Sequence, residues 1–288
     1  MTIGSWLRSA SDALKAADIP TPVLDSQVIL ANTISEKRTW ILAHPEVELG
    51  TDVHRLLTEM LNRRIVHEPM AYILGKSEFY GREFAVNEHT LQPRPESEAM
   101  IELLIEQVNK IVGIENRDIN IIDVGTGTGA LGITTYLELL KLKTPISNLQ
   151  AHLTDIDQKC IQTAKHNALS HGVEATFYTG DLLKPFSNMD LKGLIVILAN
   201  LPYVPDSHTI NKAAMHEPKH AIFGGPDGLD YYRALYYQVA NLSQFDSKNV
   251  IIFTESLPQQ HAELTKIASM AGFKQTAESD FIQVFAKA

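Results

Sequence analysis

The chain of 288 residues has one cysteine, two tryptophans and no apolar stretch long enough to cross a bilayer. Cys160 on its own excludes an internal disulfide and any zinc site built from several cysteines. A membrane helix needs roughly 18–20 consecutive apolar residues, and charges interrupt every run here before that length. Positive charge is also scarce: 25 Lys and Arg face 34 Asp and Glu, a net charge of −9. Residues 1–90 carry −3 of this and the remainder −6, so neither part is basic; Lys37-Arg38 and Arg63-Arg64 are the densest cationic spots. Non-specific nucleic-acid affinity draws mainly on phosphate neutralisation by cations, so nucleic acid is not an expected partner. The eleven histidines show no pairing that suggests a metal, and none is expected. The opening stretch MTIGSWLRSASDALKAAD mixes charges into an amphipathic pattern, unlike a secretion signal or a transit peptide. A cytoplasmic protein is expected, with no membrane partner.

What is present suits an ordinary globular protein, 44% hydrophobic and 20% charged. Residues 1–75 read as helices only: apolar positions recur at three and four spacing in SWLRSASDALKAA, VLDSQVILANTI and DVHRLLTEMLNRRI, separated by prolines. A small helical domain is expected there. Residues 76–92 switch to aromatic and β-branched alternation around Gly75 and Gly81, which predicts a β-hairpin linker. Residues 93–288 then alternate strands with helices. The strands are INIIDVG, LQAHLTDID, ATFYTGD, LIVILAN, VIIFTES and FIQVFAKA, and the alternation predicts an α/β domain with a parallel sheet covered by helices on both faces. Such a sheet has a crevice beyond the carboxyl ends of its strands, at the switch in strand order, where functional residues should gather.

Three strand ends are distinctive. In IIDVGTGTGALG the loop residues Gly125, Thr126, Gly127, Thr128 and Gly129 join a strand to a helix. Glycines there permit positive φ and remove the Cβ atoms that hold a ligand off the backbone; loop amides and the helix N-terminus favour an anionic group. A dinucleotide pyrophosphate and the carboxylate of S-adenosylmethionine both satisfy that. Asp155 ends the second strand, placed to accept from ribose hydroxyls, with Asp157 as the helix cap. Asp181 ends the third, suited to an adenine amino group, with Leu182 beside it to pack on the ring.

The fourth strand stops at Asn200-Leu201-Pro202-Tyr203. An amide or aromatic amine is a poor nucleophile because its lone pair is delocalised. Two acceptors binding both of its N–H groups would turn that pair toward an electrophilic carbon and stabilise the developing positive charge. Asn200 supplies a side-chain carbonyl. The carbonyl of Leu201 is held in extended geometry by the following proline, Pro202 stiffens the turn, and Tyr203 offers a flat face. This is a socket for a planar NH2 group, which glutamine, adenine and cytosine all carry. With the glycine loop and the strand-end acids, it points to methyl transfer.

Taken together, TPVLDSQVILANTI, RTWILAHPE, RRIVHEPMAYILGKSEFYG, PRPESE, DVGTGTGALG, ANLPYVP and HEPKHAIFGGPDGLDYYRAL resemble the release-factor glutamine methyltransferases, the HemK/PrmC family, over almost the whole chain. The resemblance implies a seven-stranded Rossmann-like S-adenosylmethionine-dependent methyltransferase domain preceded by a small helical bundle and a β-hairpin linker. It implies S-adenosylmethionine as donor, S-adenosylhomocysteine as product, and as acceptor the glutamine of the GGQ tripeptide of a class I peptide chain release factor. Cofactor contacts are implied at residues 125–129, Asp155 and Asn200, and acceptor contacts at residues 200–203. The chain departs from the family at Leu201, where a second proline is usual, and at Leu182, where an aromatic residue is common. The alternative is an adenine or cytosine amino methyltransferase acting on RNA or DNA; a cofactor-binding protein without catalysis is a third reading. A monomer is expected. Arg94 and Glu96 of PRPESE, Glu217 and the glycines of FGGPDG are expected near the site, and Glu255 is expected to be structural.

Overall fold

The computed structural model describes residues 1–112, 117–142, 146–245 and 249–287, and the chain forms two compact units. Met1–Lys76 with Ile210–His216 makes one; Ser77–Thr209 with Glu217–Ala288 makes the other. In the first, α1 (Ile3–Ala16), α2 (Pro22–Thr33), α3 (Arg38–Ala43), α4 (Thr51–Ile65) and α5 (Met70–Leu74) follow one another. Thr2 caps α1, its hydroxyl oxygen accepting the Ser5 amide, and Ile3, Trp6, Ala10 and Leu14 recur on the buried face. Of these, Ile3, Trp6 and Ala10 share a core cluster with Ile29 and Leu30 of α2, Ile41 of α3 and Leu57 of α4. The helices are also tied by a buried ion pair: Arg64 Nε donates to Asp25 Oδ2 at 2.8 Å, and the Thr21 hydroxyl donates to Asp25 Oδ1.

The expected hairpin is present, β1 (Lys76–Phe79) with β2 (Arg82–Ala85). It is packed rather than strung out as a linker: Phe79 and Phe84 are buried in one cluster with Ile101, Ile133 and Leu153. A 3₁₀ turn, Pro95–Ser97, leads into α6 (Glu98–Val112). Then come β3 (Arg117–Val124), α7 (Ala130–Leu140), β4 (Ile146–Asp155), α8 (Gln158–Ser170), β5 (Thr176–Thr179), β6 (Leu194–Ala199), α9 (Asp230–Asn241), β7 (Val250–Glu255), α10 (His261–Met270), β8 (Phe273–Ser279) and β9 (Ile282–Lys287). Ala288, the last residue of the expected final strand, lies outside the described residues.

The seven strands order as β5-β4-β3-β6-β7-β9-β8. β6 at the centre is buried on both faces: Ile195 and Ile197 join one core, Val196 and Leu198 the other. That is why it reads as an unbroken apolar run rather than an alternation. The sheet is not wholly parallel, as the alternation of elements predicts. β9 runs antiparallel to both β7 and β8, because only Asp280 and Phe281 separate β8 from β9, too few for a parallel crossover. β8, FKQTAES, escapes the sequence reading because it is a polar edge strand with Phe273 its one buried residue.

Register fixes what meets at the carboxyl ends. Val124 pairs with Thr154 on β4 and with Ala199 on β6, and Ala199 pairs with Thr254 on β7. The residues just past these pairs are Gly125, Asp155, Asn200 and Glu255, and the strand order switches at the same place, with β4 on one side of β3 and β6 on the other.

In the helical unit, Asp25→Ala strands a mostly buried guanidinium. It is expected to cost about 3–5 kcal/mol, read as a lowered denaturant midpoint, whereas Asp25→Leu with Arg64→Met is expected to cost far less.

Candidate active site

A cavity of about 340 Å³ opens at the switch point, within the range of small-ligand pockets. It is lined by Gly125, Thr126, Gly127 and Thr128, by Asp155, Asp181 and Leu182, and by Asn200, Leu201 and Pro202. The strand ends singled out in the sequence therefore converge. Gly129 and Tyr203 stand off the wall. A Cβ at Gly129 would lie 2.8 Å from Ile133 and 3.2 Å from Ala164, so that glycine lets α7 and α8 pack. The Tyr203 ring packs against the core cluster that includes Tyr232, and its hydroxyl donates to Glu255 Oε1 at 3.0 Å.

The glycine loop is more occupied than its sequence suggests. The amide of Thr126 bonds Thr154 O, that of Gly127 bonds Asp155 Oδ2 at 2.9 Å, and that of Gly129 bonds Thr126 O. The N-terminus of α7 already holds an anion. Asp123, wholly buried, accepts the Gly132 amide at 3.0 Å and the Thr126 hydroxyl at 2.5 Å on Oδ2. A Cβ at position 132 would sit 2.9 Å from that oxygen. Burial pushes the Asp123 pKa up to about 6, opposed by those two hydrogen bonds and reinforced by Asp155.

Asp155 has both oxygens engaged by backbone amides, Oδ1 by Asp157 and Oδ2 by Gly127. Each oxygen keeps a second lone pair, which suits a vicinal diol in the cavity. Burial raises its pKa and those amides lower it. Beside it Ile156 lines the same wall, with its side chain 69% exposed. Across from these, Leu182 sits at φ +52°, a left-handed conformation unusual for leucine. Gln238 holds that turn, accepting the Leu183 amide at 2.8 Å and donating to Asp181 Oδ2 at 3.5 Å. Asp181 Oδ2 also meets Lys184 at 2.7 Å. Asp157 caps α8, as expected, accepting the Lys159 amide.

At the other end, Asn200 Nδ2 donates to Ser97 Oγ at 2.8 Å and to Glu255 Oε2 at 3.1 Å. Leu201 is almost fully buried, and its side chain comes within 3.0 Å of where a Cβ at Gly125 would stand. The N–H that Leu201 keeps, having no proline ring, donates to the Tyr232 hydroxyl at 3.3 Å. The single hydrogen of that hydroxyl is shared between the carbonyls of Ala199 and Glu255. Residues beyond Pro202 are clamped by FGGPDG: Gly224 N donates to Val204 O, and Gln260 Nε2 donates to both Tyr203 O and Asp227 O. A Cβ at Gly228 would lie 2.1 Å from Tyr203 O, so these glycines approach the motif's own backbone. Arg94, on the cavity wall, pairs with buried Glu217 at 2.5 Å.

Sequence reasoning passed over Leu91, Ser97, Ile156, His220 and Tyr231, all on the wall. Ser97 was within reach, since it lies in PRPESE beside the two charged residues that drew attention. Among the described residues no group of three or more His, Cys, Asp or Glu is placed to hold a metal, and no helix is long and apolar enough to cross a membrane.

A paired acid for a diol, apolar sides for a flat ring and a fixed amide at the adjoining strand tip fit S-adenosylmethionine. In class the protein is a Rossmann-like S-adenosylmethionine-dependent methyltransferase, and residues 98–221 match the family model described as a methyltransferase small domain. Residues 5–75 match the PrmC N-terminal domain. The release factor glutamine methyltransferase of Bacillus cereus is 36% identical over 230 residues, covering 79% of this chain and 77% of its own. That of Koribacter versatilis is 33% identical, covering 83% and 81%, and that of Bacillus subtilis 32%, covering 72% and 70%. The chain belongs to the release factor glutamine methyltransferase family.

Tyr232→Phe leaves the buried Leu201 N–H unpaired and is expected to cost about 1–3 kcal/mol. Leu201→Pro removes that donor, so a double-mutant cycle by chemical denaturation should show the Tyr232→Phe cost shrinking in the proline background. A carboxyl whose folded-state pKa is raised costs stability while ionised. The melting temperature is therefore expected to rise as pH falls from about 7 through 6 toward the unfolded value near 4. Asp123→Asn keeps an oxygen for Thr126 and Gly132 and is expected to flatten that rise, removing up to about 3 kcal/mol of the difference.

Proposed function

We propose that this enzyme transfers a methyl group from S-adenosylmethionine to the side-chain amide nitrogen of the GGQ glutamine in a class I peptide chain release factor. The observation that carries the reading is the fixed orientation of Asn200: with both N–H groups bound to Ser97 and Glu255, the side chain has only its carbonyl left to present. That carbonyl binds one N–H of the glutamine amide, and the Leu201 carbonyl binds the other. Together they turn the nitrogen lone pair out of conjugation and stabilise positive charge as it grows. S-adenosylmethionine supplies the electrophilic methyl carbon. The new N–C bond forms as the C–S bond breaks with its electron pair going to sulfur, and the nitrogen then loses a proton to water. No side-chain base is needed before attack.

In the same reading Asp155 takes the ribose hydroxyls, Asp181 the adenine amino group, and Leu182 with Ile156 the faces of the ring. The loop residues 125–128 let the ligand approach the backbone closely, with Gly129 packing behind them. Because Asp123 already occupies the α7 N-terminus, the donor's carboxylate is assigned to the side of the cavity where Arg94 stands. The helical residues 1–75 dock the release factor, in the cytoplasm, with the enzyme acting as a monomer. The relatives favour glutamine over an adenine or cytosine acceptor, and the acidic chain agrees with them.

Transfer of a tritiated methyl group is expected to label a class I release factor and to spare the same factor with its GGQ glutamine changed to alanine. Equal labelling of both would overturn the acceptor, and label appearing in RNA or DNA would replace it. Asn200→Ala is expected to leave donor affinity by calorimetry nearly unchanged and to lower turnover roughly 10²-fold or more.

A further inference from the structure

Glu255 is wholly buried at the tip of β7, and the reaction as described gives it no contact with donor or acceptor. A carboxylate is kept in such a place only when it is well supplied with donors. Here Oε2 accepts the Ser97 hydroxyl at 2.6 Å and Asn200 Nδ2 at 3.1 Å, and Oε1 accepts the Tyr203 hydroxyl at 3.0 Å. Burial holds its pKa above the ordinary carboxylate value, the nearby Glu96 adds to this, and the hydrogen bonds from Ser97, Tyr203 and Asn200 offset only part of it.

The chemistry of these groups has one consequence for Asn200. An asparagine amide can turn over by half a rotation, exchanging its oxygen for its NH2 at nearly equal cost in shape. An NH2 facing the cavity would oppose the N–H groups of an incoming amide. A carboxylate only accepts, so the NH2 must face Glu255; its second hydrogen goes to Ser97 Oγ, whose own hydrogen goes to Glu255. Both N–H groups are spent, and the flipped state would set an oxygen against an oxygen. We propose that Glu255, with Ser97 as relay, is a positioning residue that holds the Asn200 carbonyl toward the acceptor nitrogen. The same carboxylate sets the Tyr203 ring by its hydroxyl, so one group fixes two members of the Asn-Leu-Pro-Tyr tip. This inference rests on the reading of Asn200 as the acceptor's partner.

The test uses the full chain with Glu255→Gln, whose amide can present a donor to Asn200. Turnover is expected to fall on the order of 10²-fold. Calorimetric affinity for S-adenosylmethionine should change by less than about threefold. In the Asn200→Ala background Glu255→Gln is expected to cost little more, because two residues acting through one contact are not additive. A separate readout needs no acceptor: the Asn200 side-chain NH2 resonances, assigned by their loss in Asn200→Ala, should be protected from solvent exchange in the parent chain and lose that protection in Glu255→Gln. Unchanged turnover, losses that multiply with Asn200→Ala, or equal exchange in both proteins would overturn the proposal. Should Glu255→Gln fail to fold, Ser97→Ala removes the relay alone and is read the same way, with a turnover loss of roughly tenfold. If the parent chain fails to label the release factor, the acceptor assignment falls, and the exchange comparison still decides the role of Glu255.

Discussion

The architecture of the site depends on one buried acid at the tip of β7 and the donors that surround it. Glu255 receives Asn200 from the neighbouring strand tip, Tyr203 three residues further on, and Ser97 from the turn that precedes α6. Remove the acid and two segments distant in sequence, the turn before α6 and the tip beyond β6, lose their common partner. The register of the sheet makes the meeting inevitable, because Ala199 pairs with Thr254 and the next residue on each strand faces the same crevice end. The sheet therefore does more than support the cavity. It sets the rotation of individual side chains at its rim.

Around that anchor the protein has already used many of the polar groups that a ligand would otherwise find. Loop amides bond Asp155 and Thr154, and the α7 N-terminus is neutralised by Asp123. What is left for a guest is selective: lone pairs on Asp155, the carbonyl side of Asn200, and apolar walls at Ile156 and Leu182.

The sequence made the central framework legible through simple physics. LIVILAN and VIIFTES are too apolar to be anything but doubly covered strands, and glycine, aspartate and asparagine directly beyond such strands mark the crevice. Other features were hidden for equally physical reasons. FKQTAES lies on the sheet edge and has almost no buried side chains to betray it. The antiparallel course of β9 is set by a two-residue connection rather than by composition. Gly129 resembles the ligand-facing glycines around it, and only the packing of Ile133 and Ala164 distinguishes its task. Glu255 looks like an ordinary strand-end acid until the strand order puts it beside Asn200. Tyr203 was read by its ring, whereas its hydroxyl decides where it goes.

The two outer strands have a consequence of their own. An open sheet offers unpaired backbone groups at its borders, and these are templates for aggregation with other chains. β5 limits the exposure on one border by being only four residues long. On the other, β8 carries Lys274, Thr276 and Glu278 at its alternating exposed positions, so a stranger's strand would have to approach charged and solvated side chains. The molecule thus keeps the ends of its strands open for chemistry while charged and solvated side chains line its flanks.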